Sequence, residues 1–149
     1  MKLSANLGLL WSELPLLERV YKAKEKNFDA VEFQFPYEVD ANELKKAIDK
    51  INLPIIGINT IKGNVSKGDN GLNAVPSRVQ EARSAIDQAI EYAKVIGSKN
   101  IHFMCGITEQ NHNSLKTLVE NLQYAVSQLN DTNIAVSYTH LRAHETNGY

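Results

Sequence analysis

Two short apolar segments carry ionisable or amide side chains at alternate positions. In AVEFQF (Ala30–Phe35), Val31, Phe33 and Phe35 alternate with Glu32 and Gln34. In NIHFMC (Asn100–Cys105), Ile101 and Phe103 alternate with His102 and Met104. Period-two alternation is that of a β-strand, whose successive side chains point to opposite faces. With the large apolar set packed under helices, Glu32 and His102 share the opposite face. A carboxylate near an imidazole can bind a polar substrate or handle a proton close to neutral pH. Asn6 and Asn59 end two further strand-like segments, and Arg78 follows a long loop rich in Gly and Asn. The candidate substrate-binding set is therefore Asn6, Glu32, Asn59, Arg78 and His102. The alternative for the same residues is a self-satisfied polar layer, with Glu32 and His102 bonded to each other or to Arg78. Cys105 has no sequence-local base and reads as a small buried residue rather than a nucleophile. Trp11 offers either a pocket wall or a loop-packing residue.

The elements that must hold these residues alternate. Strands are predicted at Lys2–Asn6, Ala30–Phe35, Pro54–Asn59, Asn100–Cys105 and Asn133–Val136. Between them the spacing predicts four helices. The first has Pro15 near its start, where a missing N–H is tolerated. The second runs over Ala41–Ile51 with Asp40 as its cap. The third runs from about Ser77 to Ile96 with Gly97 beyond its end. The fourth starts near Asn113 or Ser114, with Leu115, Leu118, Val119, Leu122, Val126 and Leu129 on one face.

Strand–helix alternation with short links implies an α/β fold with a parallel sheet and right-handed crossovers. Periodicity alone leaves a doubly wound sheet and a barrel open. The pattern matches the N-terminal half of a (β/α)8 barrel, about four βα units plus a fifth strand, since a complete barrel takes about 250 residues. The one long connection, Thr60 to Pro76, leaves the C-terminal end of the third strand, where such folds place their sites. GDNGL at Gly68–Leu72 lies inside this loop and precedes no helix directly, so it is a weak phosphate-binding signal.

Composition narrows the function classes. Lys and Arg number 16 against 17 Asp and Glu, for a net charge of −1 over 149 residues. Such a chain has no broad electrostatic footprint for nucleic acid or anionic lipid. With a single cysteine no internal disulfide forms, which suits a reducing compartment. The N-terminal MKLSANLGLLWSELP is too polar for a signal peptide, and no apolar run is long enough to span a membrane. The expectation is a cytoplasmic protein without membrane or nucleic-acid partners.

Several segments resemble the hydroxypyruvate isomerase family within the xylose-isomerase-like barrels. They are SANLGLLWSELPLLER (Ser4–Arg19), FDAVEFQFPYEVDANEL (Phe28–Leu44), YAKVIGSKNIHFMCG (Tyr92–Gly106) and TLVENLQYA (Thr117–Ala125). The most specific is NTIKGNVSKGDNGLNAVPSRVQEAR (Asn59–Arg83). Its Asn59, Gly63, Gly68, Gly71, Leu72, Pro76, Arg78, Glu81 and Arg83 stand at the spacing of that family's long third loop. The resemblance covers roughly residues 1–136. It implies a barrel that isomerises small hydroxy-keto acids or sugar acids through an enediolate, with a divalent metal (Mg or Mn) and a pair of glutamates exchanging protons.

One departure matters. The resemblance implies a metal-binding glutamate in an IEP-like segment ending the fifth strand, whereas the chain continues NIAVSYTHLRAHETNGY. The later ligands of the family have no counterparts. SYTHLRAHET from Ser137 resembles translated adapter read-through, so the expected organisation is a partial barrel domain over 1–136 and a non-native tail over 137–149. His140, His144 and Glu145 in that tail lack the order of a metalloprotease motif and a third ligand. The expectation is an inactive fragment of an isomerase, with no catalytic glutamate and no metal of its own. Exposed strand edges would make it self-associate. The rival readings are a non-catalytic small-molecule binding module and a metal-dependent nuclease of the same barrel superfamily.

Overall fold

In a computed structural model, residues 1–139 are described. Five strands and four helices alternate: β1 Ser4–Asn6, α1 Leu16–Glu25, β2 Ala30–Glu32, α2 Ala41–Ile51, β3 Ile58–Asn59, α3 Val79–Ile96, β4 Asn100–Phe103, α4 His112–Gln128 and β5 Ala135–Tyr138. His140, His144 and Glu145 lie outside the described residues.

The hydrogen bonds decide between barrel and doubly wound sheet. β1 pairs parallel with β2, and β3, β4 and β5 pair parallel in that order. The two groups are joined where Val31 bridges Ile55. There the Val31 N–H donates to Pro54 (3.0 Å) and the Ile56 N–H to Val31 (2.8 Å), followed by Phe33 to Gly57 (3.0 Å) and Asn59 to Gln34 (3.0 Å). Spatial order therefore equals chain order. A doubly wound sheet places its first strand inside, whereas a barrel adds each strand beside the last. The molecule is an α/β partial barrel, with the helices on one side of the arc.

Local chemistry sets the helix limits. Asp40 accepts from the N–H groups of Asn42 (2.9 Å) and Glu43 (3.1 Å), capping α2 where the sequence places its start. α3 begins at Val79 because Pro76–Arg78 forms a 3-10 turn first, and it ends at Gly97, which adopts φ 74°. α4 begins at His112, one turn-residue earlier than the spacing predicts, because the Asn111 side chain accepts from the Ser114 N–H (3.0 Å). The fifth strand sits two residues later than predicted. Thr132 and Ile134 remain in a turn, with the Thr132 N–H donating to Leu129 and the Ile134 N–H to the Thr132 hydroxyl. Pairing starts at Ala135 and runs through Ser137 and Tyr138, past the domain boundary placed at Val136.

The core lies between the arc and the helices. Val31, Ile58, Ile101 and Phe103 reach it from the strands, and Val20, Leu44 and Ile86 from the helices, all at most 1% exposed. This fixes the facing of the strands. Val31, Phe33, Ile101 and Phe103 are buried while Glu32 and His102 between them are half-buried. The alternation read from the sequence thus puts the polar residues on the side away from the helices.

Candidate functional site

Four of the five candidate residues stand at the C-terminal ends of neighbouring strands. Asn6 ends β1 opposite Glu32, which ends β2. Asn59 ends β3 opposite His102 of β4, and Ser137 of β5 follows in the same row. The Asn6 carboxamide oxygen accepts the Gly8 N–H (3.0 Å), which fixes the amide and leaves its N–H2 group without a partner among the described residues. Glu32 likewise makes no side-chain hydrogen bond or ion pair among them. The Asn59 amide faces only the Met104 sulfur at 3.8 Å, a weak acceptor. His102 contacts the Ser137 hydroxyl through Nδ1 and the Thr139 hydroxyl through Nε2, both at 3.3 Å. Burial lowers the His102 pKa, so the ring is neutral at pH 7.

The self-satisfied alternative is not what forms. Glu32 and His102 bond neither each other nor Arg78. Arg78 is instead paired with two carboxylates. Its guanidinium grips Glu81 with two bonds (2.9 and 2.7 Å) and Asp69 with a third (2.6 Å). Asp69 also accepts the Asn64 N–H (2.6 Å). These bonds hold the Asp69 and Glu81 carboxyls below their usual range. Arg78 therefore closes the long loop on itself.

That loop folds back onto β4. The Leu72 and Asn73 N–H groups donate to Met104 (3.1 and 3.2 Å), and the Ala74 N–H donates to Cys105 (2.7 Å). Gly71 (φ 116°) and Gly106 (φ 96°) meet at the crossing. A Cβ on Gly71 would lie 2.4 Å from the Met104 carbonyl oxygen, and one on Gly106 2.4 Å from that of Gly71. Only glycine fits either place. Beneath the crossing, buried Asn73 donates to the Thr60 hydroxyl (3.1 Å) and the Met104 carbonyl (3.0 Å), while Asn121 of α4 donates to the Asn73 carbonyl (2.9 Å).

Several of these partners escaped the sequence reading. Tyr37 donates to the Asn59 carbonyl and packs edge-on against Tyr92 at 5.2 Å. The Tyr92 hydroxyl lies 2.9 Å from the Pro36 carbonyl and 2.8 Å from that of Val39, and donates to one at a time. Burial raises the Tyr37 pKa and pushes that of Tyr92 up to about 12, so both stay protonated donors. A tyrosine hydroxyl aimed at a distant carbonyl leaves no periodic trace in a sequence. Trp11 packs on Phe28 at 6.2 Å and lies under Lys22, the loop-packing alternative. Cys105 is half-buried rather than buried, and that burial pushes its thiol up to about 11, which suits an unreactive side chain rather than a nucleophile.

The row suits hydrogen bonding to a small polar molecule: two amides, one carboxylate and one neutral imidazole. It does not suit a hard divalent cation. Mg and Mn take several oxygen ligands, and Glu32 is the one carboxylate at these strand ends. Among the described residues no group of three or more His, Cys, Asp or Glu could hold a metal. No described helix is long and apolar enough to cross a membrane.

Known proteins agree with the geometry. The chain is 37% identical over 132 residues to the hydroxypyruvate isomerase of Escherichia coli, covering 87% of this chain and 51% of that protein. It is 36% identical over 127 residues to the 2-oxo-tetronate isomerase of Haemophilus influenzae, covering 83% and 49%. It thus spans about half the length of the curated relatives it matches. A crystal structure from Brucella melitensis, described as an AP endonuclease of family 2, superimposes with a TM-score of 0.88 at 34% identity, over 100% of this chain and 59% of that one. A family model for the xylose isomerase-like TIM barrel matches residues 20–147. Sequential parallel strands, a polar row at their C-terminal ends and this match over most of the chain place it in the xylose isomerase-like TIM barrel family.

Proposed function

We propose that this chain is the N-terminal half of an isomerase of small 2-keto acids, of the hydroxypyruvate or 2-oxo-tetronate kind. The observation that carries the reading is the row Asn6, Glu32, Asn59 and His102 at the open ends of adjacent parallel strands. In it the amides donate to the oxygens of a hydroxy-keto acid. Neutral His102 exchanges a hydrogen bond with a substrate hydroxyl, and Glu32 accepts from another. These residues orient the substrate; they supply no second carboxylate to return a proton to the neighbouring carbon. The resemblance implies two glutamates and a divalent metal for the proton exchange, whereas this row supplies one carboxylate, so on this reading the row orients substrate without completing the reaction. A cytoplasmic setting accompanies this metabolic reading.

The test joins residues 1–136 to the C-terminal half of the Escherichia coli relative and assays hydroxypyruvate isomerisation with Mg2+ or Mn2+ in the buffer. Turnover by the joined protein, with none by the chain alone, is the expected result. A joined protein that folds but turns over no small 2-keto acid overturns the isomerase reading. Turnover by the chain alone overturns the reading that the row orients substrate without completing the reaction.

The description of the Brucella structure raises a nuclease as a second reading. A net charge of −1 and the pairing of Arg78 with two carboxylates weigh against it. Salt-sensitive binding of DNA in the micromolar range would revive it.

A further inference from the structure

A 2-keto acid carries a carboxylate, and the row at the strand ends offers it amides and an imidazole but also the like charge of Glu32. A cation beside the row would offset that charge and strengthen the hold on the substrate's carboxylate. Two arginines near these strand ends are already engaged. Arg78 holds Asp69 and Glu81. Arg19 directs Nε to the Leu14 carbonyl (2.7 Å), Nη1 to that of Leu7 (2.9 Å) and Nη2 to that of Ser12 (2.8 Å), fastening the loop after β1. Lys62 differs. It lies three residues beyond Asn59, in the loop that leaves β3, and is half-buried. Its ammonium stands 5.0 Å from the centre of the ring of Phe35, which lies beyond the end of β2, half-buried and outside the core cluster rather than under the helices as alternation predicts, and among the described residues Lys62 forms no ion pair. Its carbonyl accepts the Gly71 N–H (2.8 Å), so the folded loop fixes its backbone. An aromatic face steadies a cation without neutralising it, and all three ammonium donors remain available.

We propose that Lys62, held over Phe35, is the residue that recognises the substrate's carboxylate, and so selects 2-keto acids over uncharged hydroxy-ketones. Arg78 belongs to the candidate substrate-binding set, but its charge is already answered by Asp69 and Glu81, and the geometry points to Lys62 for the cationic role. This inference rests on the isomerase-half reading above.

The test titrates the chain with hydroxypyruvate and with dihydroxyacetone, which has the same hydroxy-ketone and no carboxylate, and follows backbone amide shifts by NMR. The expected preference for hydroxypyruvate is roughly tenfold or more, the scale of a charge-assisted hydrogen bond, and it weakens with added salt. Lys62→Gln should erase the preference while leaving dihydroxyacetone binding and the thermal midpoint unchanged, and Lys62→Arg should restore much of it. A Lys62→Gln protein that keeps the preference, or a wild-type chain that binds both compounds equally, overturns the role of Lys62 and leaves the isomerase-half reading standing. A wild-type chain that binds neither removes the strand-end site and Lys62 with it.

Discussion

α3 and α4 are nearly equal in length and both follow strong helical spacing, yet they live in different surroundings. α3 lies between α2 and α4 and over β3 and β4; its Ala82, Ala85, Ile86, Ala89, Ile90, Ala93 and Ile96 are all buried. α4 has α3 on one flank. Its buried residues are Ser114, Thr117, Leu118, Asn121 and Ala125, whereas Leu115, Val119 and Val126 are 55, 43 and 54% exposed. Val119, Leu122 and Val126 line an open groove of about 440 Å³ along the exposed side of α4. The same contrast holds in the arc, where β2 to β4 have neighbours on both sides while β1 and β5 have one each among the described residues. The difference teaches that an apolar stripe records what a helix can cover, not what it does cover. In a complete barrel the uncovered side of α4 faces the next helix.

Substitutions in the two helices should separate most widely in stability. Ile86→Ala opens a cavity in the packed side of α3 and should cost about 2–5 kcal/mol in urea unfolding. Val119→Ala on α4 should stay within about 0.5 kcal/mol. Equal losses would mean that α4 is covered in solution. The open flank also predicts self-association, through the α4 stripe and the strand edges. Sedimentation of the chain should then show oligomers that the double substitution Val119→Lys and Val126→Lys reduces, with an unchanged urea midpoint. A wild-type chain that sediments as a single monomer would break this side of the comparison.

Within the covered region, smaller effects report on the site. Tyr37→Phe removes the donor to the Asn59 carbonyl and should cost about 1–3 kcal/mol, readable by denaturation. The smallest expected effect is a pH slope. Burial makes folded His102 bind its proton less readily than the unfolded chain does, whose ordinary value is 6.5. Its stabilising contribution is complete above that value and is lost as pH falls below it. His102→Gln should flatten the stability profile there. The carboxyls held low by Arg78 act at more acidic pH, so their loss on further acidification should remain.

Much of this was legible in the sequence where a local rule applied. α2 runs from Ala41 to Ile51 as its spacing and Asp40 cap predict, and alternation alone put Glu32 and His102 on the face opposite Val31 and Phe103. The order of the strands was legible through the expected half-barrel but not in periodicity, which is blind to which strand lies beside which; the bonds from Val31 to Pro54 and Ile56 carry that information. The role of Arg78 as a loop staple was not legible, because its spacing is shared by a substrate ligand and a staple; the contact with Asp69 shows the staple. The shift of β5 by two residues came from the turn bonds of Thr132, which compete with strand pairing.

A sheet whose spatial order follows its chain order can be built as fast as it is translated. Each strand leaving the ribosome finds its partner already folded, with one intervening helix to close the loop, so no strand waits for a distant one. At every stage the newest edge is bare, as β5 is here among the described residues, paired with β4 on one side alone. A bare edge of this kind is adhesive, and whatever pairs with it first decides whether the arc extends or clumps.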